Sequence, residues 1–207
     1  AETLYYVYVY MAGCVMTMDF STAPHKEDIL FGNQVHSTDP LRSLVGMIRT
    51  DANGRFVGVS NKELTISWFN PGHTGLTATL NGIGTNSSTL VEPVGAYRIE
   101  WLQWGINDTF RQGFSVPNIQ FDATVVNDTA NSVVHLAIGL DGSTPFTPIA
   151  GLTITDAGSA GFLRAAMIGA GGSLEGYHYA VPLLSNGGSS GNALIAQGQI
   201  YSSPFFS

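Results

Sequence analysis

The chain has 207 residues, of which 8 are Lys or Arg and 15 are Asp or Glu. Only 11% of positions carry charge, and a net charge of -7 leaves no basic patch for nucleic-acid phosphates or anionic membrane surfaces. A 44% hydrophobic fraction with mean hydropathy +0.15 excludes disorder as the main state, and 25 Gly, 18 Ser, 18 Thr and 12 Asn take the places that charges usually occupy.

Period-two alternation recurs along the chain with turn dipeptides between the runs, which predicts an all-β protein. The first run puts Tyr6, Tyr8 and Tyr10 on one face and Val7, Val9 and Met11 on the other, so neither face is polar. Such a strand is sandwiched in a core or placed at a subunit contact. After the Ala12-Gly13 turn comes Cys14, the only cysteine; its apolar neighbours predict a buried, inert thiol, and no intrachain disulfide can form. An irregular stretch follows over 21–41. Asp51 to Gly54 reads as a hairpin turn, since it supplies only the beginning of a calcium loop.

Leu64, Ile66 and Trp68 alternate with Glu63, Thr65 and Ser67, and Asn81-Gly82 reads as another turn. Tyr97, Ile99 and Trp101 alternate with Arg98 and Glu100. Ile119, Phe121, Ala123 and Val125 alternate with Asn118, Gln120, Asp122 and Thr124. Each of these strands has one wet face. Turns follow at Asp128 to Asn131, Asp141-Gly142 and Asn186-Gly187. After Asp141 only Asp156, Arg164 and Glu175 are charged, and the runs FLRAAMIG, YHYAVPLL and ALIAQGQIY lack a charged outer face. Pro182, SNGGSSGN, Gln197 and Gln199 interrupt this neutral end, which excludes a transmembrane helix. About ten to thirteen short strands at near-regular spacing predict one antiparallel β-sandwich domain of jelly-roll type over 1–207. Exposed edges normally carry charge against edge-to-edge pairing, so neutral late strands predict a closed homo-oligomer. On that reading Tyr6, Tyr8, Tyr10, Ala180 and Ile195 lie at the interface, and Lys at Ala180 or Ile195 disrupts assembly more than Lys at Thr65 or Gln120.

No strong catalytic motif emerges. Gly187, Ser189 and Gly191 match G-x-S-x-G, but a strand follows where a nucleophile elbow needs a helix, so the stretch reads as a loop. His25, His36, His73, His135 and His178 show no metal-ligand spacing, and no cofactor is expected. Glu100, Asp108 and Glu175 offer carboxylates, but 15 acidic residues always offer many pairs. Chance accounts for the Asn-x-Ser/Thr sites at Asn86, Asn107 and Asn127. Alternation puts Trp101 and Trp104 on opposite faces: Trp101 in the core, and Trp104 partly exposed at the strand end, where it is a candidate for stacking on a sugar ring. Tyr177, His178 and Tyr179 suit an interface or a neutral glycan, whose hydroxyls pair with Asn, Ser and Tyr.

Three stretches, LYYVYVYMAGCVMTMDFST, LRSLVGMIRTDANGRFV with LTISWFN, and LEGYHYAVPLLSNGGSSGN, together resemble tailed-bacteriophage fibre proteins. The resemblance implies a receptor-binding head domain: a β-rich terminal module of a virion fibre or tail protein, usually trimeric, presented to the host surface. It rests on aromatic and glycine patterns and transfers no functional residue. No shaft or anchoring segment is recognisable before Leu4, which predicts a trimmed piece of a longer fibre or attachment through the module's own surface. The expectation is an extracellular virion-surface protein, binding other virion proteins and host surface glycans as a homotrimer, without nucleic acid or membrane insertion. The alternatives are a structural capsid jelly-roll or decoration protein and, third, a polysaccharide depolymerase.

Overall fold

The computed structural model describes residues 2–56, 58–69, 75–93, 98–105, 118–167, 175–188 and 191–202. Its strands, in chain order, are β1 (Leu4–Ala12), β2 (Val15–Ser21), β3 (His25–Glu27), β4 (Gln34–His36), β5 (Ser43–Arg49), β6 (Gly58–Val59), β7 (Lys62–Glu63) and β8 (Thr65–Ser67). They continue with β9 (Thr77–Thr85), β10 (Ile99–Gln103), β11 (Ile119–Asn127), β12 (Ser132–Leu140), β13 (Ala150–Ile154), β14 (Ala160–Met167), β15 (Gly176–Ser185) and β16 (Ala193–Ser202).

Three sheets form. The front sheet runs β2-β1-β5-β4-β3, with β8 also paired to β5. The middle sheet runs β13-β12-β15-β10-β7-β6, and the back sheet runs β14-β11-β16-β9. Pairing is antiparallel except between β10 and β7. The larger core lies between middle and back sheets and joins Ile99, Trp101, Leu136, Ile138 and Ala180 to Leu80, Phe121, Val125, Ile195 and Ile200. A second core lies between front and middle sheets and joins Tyr8, Leu44, Met47 and Ile66 to Leu102 and Trp104. The all-β sandwich thus carries a third layer, and the β10 part of its middle sheet is covered on both faces.

This layering explains the neutral late strands. All five residues of β10 are buried, and β15 is buried continuously from Ala180 to Ser185, because each strand has a core on either side. In β11 the alternation is complete: Ile119, Phe121, Ala123 and Val125 face the core while Gln120, Asp122 and Thr124 face outward. The outward carboxylate of Asp122 takes Arg164 from the neighbouring strand at 2.7 and 3.0 Å.

Two turn expectations diverge. The Asp51 carboxylate accepts the N–H groups of Asn53 and Arg55, both at 2.8 Å, and Gly54 has φ +76°, so this segment is the turn expected. Asn81-Gly82 is not a turn: it lies inside β9, between pairings of Asn81 with Gln197 and of Ile83 with Ile195. Cys14 also departs from its expectation. It is exposed at the tip of the β1–β2 hairpin, because both strands run past the edge of the core they cover.

Candidate functional site

The structure takes Trp104 away from the sugar-stacking role. Its parity relative to Trp101 is as the alternation requires, but both faces of β10 are internal, and Trp104 is only 1% exposed. Its indole packs edge-on against Trp68 with centroids 4.9 Å apart and lies 6.0 Å from the His25 ring. The indole N–H donates to the Ser67 carbonyl at 3.3 Å.

Tyr177 and Tyr179 share one face of β15, with ring centroids 5.9 Å apart, but each ring already carries a guanidinium. Arg49 sits 3.6 Å over Tyr177 and Arg98 sits 4.5 Å over Tyr179. Arg98 is in turn held by both Glu92 oxygens, at 2.9 and 2.7 Å. Burial first, then the neighbouring Glu100 carboxylate, raises the Tyr177 phenol above its ordinary range. A pocket of about 250 Å3 beside it is lined by Glu2, Arg49, Asp51, Lys62 and Glu100, but its cations are internally paired: Arg49 with Glu2 at 3.3 Å and Lys62 with Glu100 at 2.7 Å. His178 faces the other way. It is buried beside Trp101, and its Nδ1 lies 2.7 Å from Asp141, whose other oxygen accepts the Tyr179 N–H at 2.9 Å. His178 is buried, which corrects its glycan-contact reading, while Tyr177 and Tyr179 stay half-buried with a guanidinium over each ring.

The interface expectations need the same correction at three positions. Tyr8, Ala180 and Ile195 are fully buried in the chain's own cores and cannot meet a partner. Tyr8 faces the core between front and middle sheets, Ile195 lies on the inner face of the back sheet, and Ala180 lies on the middle sheet, whose neutral strand is satisfied within the chain rather than between chains. Tyr6 and Tyr10 are half-buried and also engaged, Tyr10 beneath Arg42 at 4.7 Å and Tyr6 through a hydrogen bond of 2.8 Å to Glu175.

Glu175 centres the most closely knit polar group on this seam. Its second oxygen lies 2.8 Å from His25 Nε2, while His25 Nδ1 lies 2.6 Å from Gln34 Oε1. Burial opposes ionisation of Glu175, but His25, the Tyr6 hydroxyl and the Gly105 N–H together hold its carboxyl below the ordinary carboxylate range. The same burial and negative charge push the Tyr8 phenol up to about 12. This cluster ties the front sheet to the loop entering β15, which is a structural task. Among the described residues, no group of three His, Cys, Asp or Glu is placed to hold a metal ion.

A site with room for a ligand lies elsewhere, at one end of the back sheet. A pocket of about 630 Å3 is lined by Gly84, Thr85 and Asn86 at the end of β9, Val126 and Asp128 at the end of β11, Gly158 between β13 and β14, and 192–194 at the start of β16. The loops are braced against one another. Asn192 donates its backbone N–H (2.8 Å) and its side-chain amide (3.0 Å) to the two Asp128 oxygens, and Gly158 N–H reaches the Asn127 carbonyl at 2.8 Å. Asn186 spans Asn86 O and Gly191 O at 3.1 and 3.0 Å. The bonds from Asn192 and Thr129 keep Asp128 below the usual carboxylate range. The rim is Asn86, Asp128, Asn192 and Thr85, the apolar wall is Val126, Ala193 and Leu194, and among the described residues no Lys, Arg or His lines it.

The sequence reading took Asp128 to Asn131 and Asn186-Gly187 as separate turns and missed that they meet. The available signal was that both turns carry Asn and Asp, but nothing in one dimension shows that four connections share one end. The Asn127 acceptor site is excluded by burial: its Nδ2 is inaccessible, and its Oδ1 accepts the Thr129 N–H at 2.9 Å. Asn86 is exposed. Tyr97, Asn107, Asp108, His73 and Ser189 lie outside the described residues. No family model matches the chain, and no curated protein matches its sequence.

Proposed function

We propose that the chain is a surface module of a bacteriophage virion, in a fibre or tail, that assembles as a homo-oligomer, a trimer by the resemblance, and holds an uncharged glycan of the host surface in the pocket at the end of the back sheet. The observation that carries the glycan part is the pocket's lining: carboxylate, amide and hydroxyl groups on braced loops, an aliphatic wall, and no cation among the described lining residues. Asn amides and an ionised Asp match the donor and acceptor pattern of sugar hydroxyls, and the absence of Lys and Arg disfavours phosphate or sulfate. Bracing lowers the ordering cost of binding, and several copies make weak neutral contacts effective by raising local concentration.

A glycan array read with the isolated protein, followed by titration of the best saccharide, tests this. Asn86→Ala should weaken binding at least about tenfold, the scale of one lost hydrogen bond to a sugar hydroxyl, and Leu194→Glu should abolish it, while Thr65→Lys leaves it intact. A protein that binds no glycan in its assembled form overturns the glycan reading. A purely structural decoration role then stands in its place, favoured by the large exposed apolar surfaces of the front sheet.

A further inference from the structure

Three consecutive large apolar residues, Ile29, Leu30 and Phe31, stand 98%, 83% and 80% exposed at the connection between β3 and β4. A run of this kind on a folded surface is a functional feature or a liability. The connection is built to hold them out. Asp28 N–H donates to Asn33 O and Gly32 N–H to Asp28 O, each at 2.8 Å, Leu30 N–H donates to the Asp28 carboxylate at 2.9 Å, and Gly32 closes the turn at φ +69°, a conformation that favours glycine.

A second apolar surface lies on the outer face of β1 and β2. The register places Met11 opposite Met16, Val9 opposite Met18 and Val7 opposite Phe20, so these side chains share one face, and Phe20 stacks on Phe56 at 6.1 Å. Met16 is 74% exposed and Met18 is 58% exposed. Methionines of this kind form an adaptable docking surface.

We infer that these surfaces are the two halves of one contact: the 29–31 tip of one copy seats on the Met16, Met18 and Phe20 face of the next. Among the described residues only Phe56, against Phe20, covers either surface, and the tip and the face do not meet within one chain, whereas a second copy brings both. Their sizes agree. At ~150–250 Å2 per large side chain the tip offers on the order of 500 Å2 and the face a similar area, which together reach the ~1,000 Å2 of a specific but modest interface. The chain's acidic balance disfavours an anionic lipid surface as the occupant. A contact between two different patches is head-to-tail, forming a ring where its rotation closes and an open filament where it does not, rather than a two-fold pair. This inference deepens the oligomeric part of the proposed function and is independent of the glycan part.

The experiment uses two variants of the full chain, one with Phe31→Asp at the tip and one with Met16→Asp and Met18→Asp on the face. All three positions are exposed, so the circular dichroism spectra of the folded variants should match wild type. In sedimentation at tens of micromolar, wild type should run heavier than the 21.9 kDa monomer and each variant as a monomer. An equimolar mixture of the two variants should form a heterodimer, because one intact tip and one intact face remain. A monomeric wild type, a variant that keeps the wild-type mass, a mixture that stays monomeric, or vesicle binding by a monomeric wild type each overturns the inference. The monomeric variants should still bind a saccharide at each pocket, so failure of assembly and failure of the glycan reading are distinguishable.

Discussion

Trp104→Ala separates a core tryptophan from a ligand-stacking one. The indole fills space between front and middle sheets, with Trp68 edge-on at 4.9 Å and Leu102, Met47 and Ile66 in the same core. Truncating a fully buried tryptophan costs about 3–5 kcal/mol, from lost transfer energy and the cavity left behind. The lost donor to Ser67 O lies within that range. With a urea dependence of about 2–3 kcal/mol per molar, the unfolding midpoint should fall by roughly 1–2 M with unchanged slope. Trp104→Phe keeps most of the ring contact and should cost about 1–2 kcal/mol. Equilibrium urea unfolding followed by circular dichroism gives both values, and saccharide titration of the folded variants gives the second axis. Trp104→Phe should bind glycan as wild type does. If Trp104→Ala shifted the midpoint by less than the equivalent of about 0.5 kcal/mol, the range of an ordinary surface substitution, and yet abolished glycan binding, the packing argument would be wrong.

Stability should also fall in acid through Glu175. Its folded pKa is depressed, so its stabilisation is fully present above the ordinary carboxyl value of 4.5 and is lost as pH falls from there through the folded value. Glu175→Gln should lower the melting temperature at pH 7 and flatten its decline between pH 5 and pH 3; a parallel decline in wild type and variant refutes the assignment. Ala180→Lys and Ile195→Lys each place an ammonium where no solvent reaches and should destroy the monomer fold rather than its assembly. Thr65→Lys, exposed on β8, should stay within about 0.5 kcal/mol of wild type by thermal melting.

What was legible depended on whether a strand had one wet face. The pattern over 119–125 could be read directly, because water on one side and core on the other impose period two. A strand buried on both sides loses that period, and its composition is then the same whether the second cover is another layer of the same chain or another subunit. That degeneracy produced the errors at Ala180 and at Trp104, whose parity was right while the outward face it implied does not exist; Tyr8 and Ile195 instead lie on the inner faces of the front and back sheets, where an apolar side chain reads the same for a core as for a subunit contact. The strands β3, β4 and β6 are two or three residues long and carry no periodicity at all, whereas the alternation over 63–68 is realised in β8. The pocket was invisible for a topological reason: residues 84–86, 126–128, 158 and 192–194 are brought together by four connections at one end of a sheet whose strand order is not sequential.

The same distinction decides what the remaining apolar surface means. Once the middle layer absorbs the neutral faces of β10 and β15, those two strands need no partner, because they are covered, whereas β16 keeps a neutral outward face. The most exposed apolar surface sits at the other end of the sequence, where Met16, Met18 and Phe20 face solvent on an edge strand and Ile29, Leu30 and Phe31 project from a braced turn. Natural edges are usually protected by charge, proline or cover. In β2 the single charge, Asp19, is on the opposite face, bound to Arg42, and so gives the apolar face no protection. Selection against random association would remove such a pair of surfaces from a monomer, whereas a ring that buries both in every copy leaves neither exposed. The case for assembly therefore moves from the late neutral strands to the front sheet, and it rests on residues whose substitution leaves the core untouched.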